Sequence, residues 1–338
     1  MNKYEIKNAW NRIDKSEESS IEKFSFEYMD FIDRSKTERV CINEIRRTAK
    51  EHGFVDLDKL ISENTKLIPG MKIYAENNHK SAVLFVIGDE PIENGFKMVG
   101  SHVDSPRIDL KPNPLYEDSN IALFKTHYYG GIKKYQWATI PLSLYGTVYN
   151  SLGEKIDISI GDDENDPIFF INDLLIHLSS DQMQLKASEV IKGEQLNVMA
   201  GSKPLPLGDD GKEQKDSFKG KVLRILKDRY DIDERAFMSA EFELVPSGKA
   251  REAGLDRSMI MAYGHDDRVC AFASLKSILE TEKSELMKCA VFADKEEVGS
   301  QGNTGMESRF FENMVAELIN LQGEYSDLKL RRAFSNAK

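Results

Sequence analysis

The spacing of apolar positions predicts helices over the first 53 residues of the chain. Cap-type residues from Ser16 onward precede an amphipathic segment, which is the usual start of a helix. Gly53 fits the position directly after a second helix, where the backbone often turns left-handed. The apolar residues that recur near helical spacing in this second segment are Val40, Ile42, Ile45 and Ala49.

Short apolar runs predict β-strands in the middle of the chain. Residues 80–88 and 95–104 form two such runs, and Pro106 ends the pairing of the second. From about residue 109 to residue 242 the chain is rich in β-forming residues separated by turn signals. The strands predicted there are 121–129, 139–149, 155–160 and 168–171, and the Gly/Pro-rich segment 200–217 is predicted as a long loop.

Helix-like and strand-like patterns alternate again toward the end of the sequence. Two strands are predicted at 237–245 and 288–294, and two helices at 267–279 and 309–321. We therefore expect an α/β fold in which a mixed sheet is flanked by helices. The main domain is predicted to comprise residues 1–108 and 243–338, and residues 109–242 are predicted to form an inserted, mostly β domain.

Length and composition limit the class of protein. A chain of 338 residues suits two domains, and 40% hydrophobic residues suffice for a sizeable core. The sequence has no run of 18 apolar residues, no signal-peptide pattern at its start and only three cysteines. These features predict a cytoplasmic protein with no membrane association. The formal net charge of −11 argues against nucleic acid as the main partner.

Three short polar segments carry the candidate chemistry: His102-Val-Asp104, His265-Asp-Asp267 and Glu296-Glu297. Two of them follow strand-like runs, and functional groups in open α/β sheets collect at the carboxyl ends of strands. His102 and Asp104 would share a face in a strand, with the imidazole as a metal ligand and the carboxylate as its support. A partly buried structural pair is the alternative.

The acidic residues of the other two segments each have a chemical and a structural interpretation. Adjacent side chains diverge, so one of Glu296 and Glu297 is expected to bind metal while the other takes a proton from metal-activated water. An exposed surface pair is the alternative. Asp266 precedes an amphipathic helix, where a carboxylate caps the helix or bridges two cations about 3.5–4 Å apart.

Four segments stand in a characteristic order along the chain. They are 98–107 (MVGSHVDSPR), 243–247 (ELVPS), 263–271 (YGHDDRVCA) and 293–300 (ADKEEVGS). Together they resemble the aspartyl aminopeptidase/aminopeptidase I family of dinuclear zinc metallopeptidases, and the resemblance extends over nearly the whole chain. It implies a zinc-peptidase-like catalytic domain and identifies the insertion, residues 109–242, with the dimerisation domain of that family.

The resemblance also implies roles for individual residues. His102 would bind one metal ion, Asp266 would bridge both, and Glu297 would bind the second. Glu296 would act as the general base, and Asp104 would support His102. The two divalent ions would be zinc, although this type of ligand set also accepts manganese or cobalt.

The insertion contains one further candidate. Residues 171–178 resemble the family segment whose histidine reaches the active site of a neighbouring subunit. His177 is therefore predicted to stabilise the substrate carbonyl in trans, with a structural histidine as the alternative. Because the family assembles from dimers into tetrahedral dodecamers, we also expect a homo-oligomer.

Two features depart from the family pattern. His265 precedes Asp266 where a non-ligand residue such as Gln is expected, so we interpret His265 as a supporting or incidental residue. The family also has a metal-binding Asp soon after a segment like 328–338 and a metal-binding His near its C-terminus. The sequence ends at Lys338, before both, so three of five expected ligands are present. If nothing follows Lys338, weak metal binding and little activity are expected.

The main functional prediction is a metal-dependent aminopeptidase that removes N-terminal residues from peptides. A related metallo-carboxypeptidase or deacylase is the alternative among enzymes, and the β-rich insertion and residues 243–246 favour the aminopeptidase. A truncated chain that acts as an assembly module is the alternative outside enzymes.

Overall fold

The secondary structure mixes helices and strands throughout the computed structural model, which describes residues 7–150, 152–212, 214–238 and 240–338. The α-helices are α1 (Lys15–Asp33), α2 (Glu38–Glu51), α3 (Leu57–Ser62), α4 (Ser217–Tyr230), α5 (Glu234–Met238), α6 (His265–Leu279), α7 (Phe310–Gln322) and α8 (Asp327–Ser335). Among the described residues, none of these helices is both long and apolar enough to cross a membrane.

The strands divide between the two compact units of the chain. They are β1 (Val55–Asp56), β2 (Lys72–Asn77), β3 (Ser81–Val86), β4 (Phe96–His102), β5 (Arg107–Asp118), β6 (Ile121–Tyr129), β7 (Leu142–Tyr149), β8 (Lys155–Ile160), β9 (Phe170–Ile171), β10 (Val198–Gly201), β11 (Glu241–Pro246), β12 (Arg251–Ala253), β13 (Met259–Met261) and β14 (Met287–Ala293). The first unit comprises the residues up to Val103, Lys249–Asp294 and Ser308–Lys338. The second unit comprises Asp104–Gly248 and Lys295–Glu307.

A five-stranded mixed sheet, in the order β1-β2-β3-β14-β4, forms the centre of the first unit. The pairs β1–β2 and β14–β4 are parallel, and the other neighbours are antiparallel. One face packs against α1, α2 and α6 through side chains such as Ile45 and Phe272. The other packs against α3, α7 and α8 through side chains such as Phe85 and Phe311. The predicted mixed sheet flanked by helices is therefore confirmed.

Seven antiparallel strands form the sheet of the second unit, in the order β8-β7-β11-β5-β6-β10-β9. The predicted strands at 121–129 and 155–160 match β6 and β8 in their bounds. The described residues between β10 and α4 form no helix or strand, as the composition of segment 200–217 predicts. The helix α4 lies in the region that was predicted to be mostly β, and the sequence patterns missed it.

An acidic residue caps the first helix. Asp14 is the N-cap of α1, and its carboxylate accepts hydrogen bonds from the backbone N–H groups of Ser16 and Glu17. The Glu17 side chain in turn accepts from the Asp14 backbone N–H at 2.9 Å, which completes a capping box. The acidic cap therefore satisfies backbone donors that the start of a helix leaves without a partner.

The strand predicted at 237–245 was wrong over its first residues. Phe237 and Met238 end the short helix α5, and the strand β11 begins only at Glu241. The buried Phe237 ring packs against the rings of Phe124 and Phe242, with centroid distances of 5.6 and 5.0 Å. Tertiary packing of an aromatic residue thus outweighs its local preference for a strand.

Candidate metal centre

The candidate segments begin where two neighbouring strands of the first unit end. Strands β4 and β14 are parallel, and their register places His102 opposite Ala293. The backbone N–H of Val103 donates to the Ala293 carbonyl at 2.8 Å, which extends the pairing by one residue. Because parallel neighbours end at the same edge of a sheet, the segments that follow His102 and Ala293 leave the sheet side by side.

The His102 imidazole and the Asp266 carboxylate lie together in the first unit. The distance from His102 Nε2 to Asp266 Oδ1 is 3.2 Å. The Asp266 side chain is 87% exposed, so its carboxylate is accessible to an ion from solvent. Two ligands on one tetrahedral zinc ion, each about 2.0–2.1 Å from the metal, lie about 3.3 Å apart. This nitrogen and this oxygen therefore fit adjacent ligand positions on one zinc-sized ion.

An irregular turn presents Asp266. Gly264, with φ of +83°, is the residue before α6 and occupies the N-cap position that a capping carboxylate was expected to take. Asp266 and Asp267 have non-helical backbone angles, and the peptide bond between them is cis. The Asp267 carboxylate accepts a hydrogen bond from the His102 backbone N–H at 3.3 Å. This contact ties the turn to the end of β4.

Asp104 organises the second group of candidate residues, all of which belong to the second unit. Its side chain is completely buried, and its two oxygens accept hydrogen bonds from the backbone N–H groups of Glu296 and Glu297, each at 3.2 Å. The hydroxyl of Tyr129 donates to the same carboxylate at 2.7 Å. Asp104 thus holds the backbone of the glutamate pair, a contact that the sequence patterns did not predict.

The glutamate pair lies on a sharp turn after β14. Lys295 has φ of +67°, and Glu296–Val298 form a single 3₁₀ turn that ends at Gly299. A non-glycine residue in this left-handed region occurs mainly where surrounding contacts fix the backbone, which often happens at functional sites. Here the bonds from Asp104 to two consecutive amides supply that fixation.

Tyr129 is itself held by a buried arginine. The guanidinium carbon of Arg107 lies 3.9 Å from the centre of the Tyr129 ring. Arg107 Nε donates to Asp109 at 2.7 Å, and its Nη2 atom lies 3.2 Å from a Glu243 oxygen. The two carboxylates fix the guanidinium plane, and the plane supports the tyrosine ring. Sequence reasoning missed this role of Tyr129 and Arg107.

The residue after Tyr129 approaches the glutamate pair directly. Gly130 has φ of +71°, and a Cβ atom there would lie 2.9 Å from Glu297 Oε2 and 3.1 Å from Glu297 Cβ. Only glycine combines this backbone angle with so close an approach. The Gly130-Gly131 pair in the sequence is the local signal that could have marked this contact.

His177 lies in a different environment from the other candidates. It is exposed, in the 3₁₀ turn Ile176–Leu178 of the second unit. Its neighbours in the sequence are exposed apolar residues, and they are Leu174, Leu175, Ile176 and Leu178. Such a run of apolar side chains is unusual on the surface of a monomer.

Comparison with known proteins identifies the family. The sequence profile of the aminopeptidase I zinc metalloprotease family (M18) matches residues 31–337. A probable M18 family aminopeptidase 1 from Clostridium acetobutylicum is 46% identical over 334 residues, which are 99% of this chain and 71% of that protein.

Solved structures agree with this assignment. The crystal structure of an M18 aminopeptidase from Thermotoga maritima superimposes with a TM-score of 0.90 at 43% identity, covering 99% of this chain and 71% of that one. The mApe1 dodecamer of S. cerevisiae shares the fold at a TM-score of 0.70 and 19% identity, over 94% and 70% of the two chains. The chain therefore belongs to the aminopeptidase I zinc metalloprotease family, and it is a metalloaminopeptidase.

Proposed function

We propose that this aminopeptidase uses a dinuclear metal centre in which His102 binds one ion, Glu297 binds the other and Asp266 bridges the two. The observation that carries the proposal is the 3.2 Å separation of His102 Nε2 and Asp266 Oδ1, which suits two ligands of one ion. An imidazole with carboxylates suits zinc, and also manganese or cobalt. The family description supports zinc.

Glu296 is proposed as the general base. When bound, the two metal ions would polarise the scissile carbonyl and acidify water. The Glu296 carboxylate would then accept the proton of the attacking water and pass it to the leaving amine. Asp104 supports this role because its bonds to the Glu296 and Glu297 amides fix the backbone from which both carboxylates project.

The substrates are proposed to be peptides with a free N-terminal amino group. A free substrate amino group can interact with the carboxylates near the metal site, and an acylated amine, which carries no charge, would lose that interaction. The test compares hydrolysis of a free peptide with that of its N-acetylated form, with zinc and with a chelator. Cleavage of the free peptide only, abolished by the chelator, is the expected result. Preference for the acetylated peptide would instead support a deacylase or carboxypeptidase.

The β-rich insertion, residues 109–242, is proposed as a dimerisation domain, and the chain as a homo-oligomer in which His177 reaches a neighbouring subunit. Exposed apolar side chains around His177, with Ile176 at 67% exposure, support the proposal because such surface is usually covered by a partner. The related S. cerevisiae protein forms a dodecamer.

Sedimentation velocity tests the assembly. We expect particles that are multiples of the 38.4 kDa chain, and smaller particles for Ile176→Asp. Leu207→Asp is the matched control, since Leu207 is 64% exposed in the second unit but lies outside the segment around His177. A monomeric unmodified chain at micromolar concentration would contradict the proposal.

A cytoplasmic location is also proposed. It is supported by the cysteines Cys41, Cys270 and Cys289, which are all free thiols in the structure. A protein that matures in an oxidising compartment more often pairs its cysteines. Recovery of the native chain in a periplasmic or secreted fraction would contradict this location.

A further inference from the structure

The orientation of the Asp266 carboxylate has to be fixed from outside α6. The helix is irregular at its start, because Asp266 has φ of −85° and ψ of +108°, far from helical values. Regular helical hydrogen bonds therefore do not define the direction in which this side chain points. The residues on either side of Asp266 provide two contacts with other elements, and these contacts explain how the turn keeps one conformation.

His265 provides the first contact through both of its ring nitrogens. Nδ1 lies 2.7 Å from the Tyr28 hydroxyl, and Nε2 lies 3.2 Å from the Ile260 carbonyl oxygen. A carbonyl oxygen only accepts hydrogen bonds, so Nε2 carries the proton and donates to Ile260. In the neutral imidazole Nδ1 is then an acceptor, and the Tyr28 hydroxyl donates to it. Hydrogen bonds to α1 and to β13 thus hold the imidazole from both sides.

Tyr28 is a rigid donor. It is buried on α1, and its ring packs against Phe272 of α6 with a centroid distance of 5.6 Å. Burial raises the pKa of the Tyr28 hydroxyl to about 12, so the group keeps its proton at neutral pH. Since Phe272 also contacts Phe31 at 5.4 Å, the ring lies in a well-packed aromatic cluster.

Asp267 provides the second contact, on the other side of Asp266. Its carboxylate accepts from the His102 backbone N–H at 3.3 Å, which ties the turn to the end of β4. Asp266 therefore lies between one residue fixed to α1 and β13 and another fixed to β4. The backbone is thus fixed on both sides of Asp266, whose Oδ1 atom lies 3.2 Å from His102 Nε2.

We propose that Tyr28 and His265 are positioning residues that hold Asp266 in the orientation needed to bind metal together with His102. The inference rests on the proposed function, because it presumes that Asp266 is a metal ligand. Neither residue is one of the proposed metal ligands. Their effect passes through the backbone, as with other groups that orient metal ligands from behind.

The test is a titration of the metal-free chain with cobalt(II) alone, followed by visible absorption. Tyr28→Phe removes one hydroxyl and keeps the ring that packs against Phe272. We expect this variant to bind cobalt about tenfold more weakly and to change the intensity or position of the cobalt bands. His265→Leu should do the same, and His265→Gln should restore part of the affinity, because an amide keeps one of the two hydrogen bonds.

Tyr74→Phe is the matched control. Tyr74 is also buried in the first unit, burial also raises its pKa to about 12, and its hydroxyl donates to Asp56 at 2.9 Å. A merely structural role of Tyr28 would lower the melting temperature of both metal-free variants and leave cobalt affinity and spectrum unchanged. The inference requires a change in cobalt binding that Tyr74→Phe does not show.

Asp266→Asn separates failure of this inference from failure of the proposed function. If Asp266→Asn weakens cobalt binding and Tyr28→Phe and His265→Leu both bind like Tyr74→Phe, the positioning role is overturned and the metal site stands. If Asp266→Asn binds cobalt like the unmodified chain, or the unmodified chain binds none, the proposed metal site is overturned and the positioning role with it.

Discussion

At the residue scale, the buried carboxylate of Asp104 connects packing to the proposed chemistry. It accepts hydrogen bonds from two consecutive amides and from the Tyr129 hydroxyl. A buried carboxylate needs such donors, because desolvation of the charge would otherwise be costly. The same donors include the backbone of Glu296 and Glu297, so satisfying Asp104 also fixes the glutamate pair.

Tyr129→Phe tests this connection. The change removes the hydroxyl donor and keeps the ring that stacks on Arg107. We expect kcat to fall about tenfold with little change in KM, because the glutamate pair is less well held. Steady-state kinetics on a free peptide with zinc measures the effect. An unchanged kcat would show that the hydroxyl does not contribute to positioning.

Glu296→Gln tests the general base. The amide keeps the size of the side chain and loses its ability to accept a proton, so kcat should fall by about 10²–10⁴-fold. Zinc content should stay as in the unmodified chain, since Glu297 is the proposed ligand. Elemental analysis of the purified variant checks that point. A rate close to that of the unmodified chain would refute the assignment of Glu296 as base.

Sequence patterns predicted the candidate residues better than their partners. His102, Asp104 and the glutamate pair were found from strand ends and motif spacing, which are local features. The contact between Tyr28 and His265 joins residues 237 positions apart, and no local pattern predicts it. The local sequence likewise predicts only a strand position for Tyr129, and the structure shows that its hydroxyl donates to Asp104.

At the element scale, the turn after β6 brings Gly130 against Glu297. A methyl group at Gly130 would lie 2.9 Å from Glu297 Oε2 and would also strain a backbone with φ of +71°. Gly130→Ala should therefore displace the Glu297 carboxylate and weaken zinc binding about tenfold or more. Competition with a chromophoric chelator measures the zinc affinity.

Gly153→Ala is the control for backbone strain alone. Gly153 belongs to the same unit, has φ of +78°, and a Cβ atom there would meet nothing within 4 Å. Both variants carry a similar strain of about 1 kcal/mol, and only Gly130→Ala adds the clash with Glu297. Equal zinc affinities for the two variants would refute the role of Gly130.

Apolar runs and helical spacing predicted several elements well, and one helix in the insertion was missed. Helix α2 and strands β3, β4 and β14 were predicted from apolar spacing and lie where expected. Helix α4 was missed because it follows a Gly/Pro-rich loop and contains Gly220, which lowers helix propensity. That glycine leaves room for Leu205, whose Cδ1 atom would lie 2.8 Å from an added Cβ. Packing against Leu205 therefore explains why a residue of low helix propensity, Gly220, lies within α4.

At the scale of the whole molecule, stability should depend on pH in the alkaline range. Burial raises the pKa of the Cys289 thiol from 9.0 to about 12. The folded state therefore keeps this proton over a range in which the unfolded chain loses it. The stability that this thiol contributes is fully present below pH 9 and is lost as the pH rises toward 12.

Chemical denaturation at several pH values between 9 and 12 measures this loss. In Cys289→Ala the free energy of unfolding should fall less steeply, by up to about 1.4 kcal/mol per pH unit, than in the unmodified chain. The absolute stability of the variant also changes, because Cys289 packs in the core, so the slope is the informative quantity. Identical slopes would contradict the assigned pKa.

The fold class followed from the sequence because alternating apolar runs and amphipathic helices define a mixed sheet with helical layers. Assembly is harder to predict. The sequence alone would place the apolar residues around His177 in the core, although they are exposed. Only the structure shows them to be on the surface. The division into domains at residues 109 and 242 and the role of His177 in trans stay predictions.

The number of zinc ions bound per chain tests the proposed dinuclear centre. The chain is stripped with a chelator, reloaded with zinc, and its bound metal is counted by native mass spectrometry for the unmodified protein and for His102→Ala, Asp266→Asn and Glu297→Gln. A dinuclear centre held by these residues requires two ions in the unmodified chain, one after His102→Ala or Glu297→Gln, and weakened binding of both after Asp266→Asn. A single ion in the unmodified chain, or two ions retained in all three variants, would contradict it.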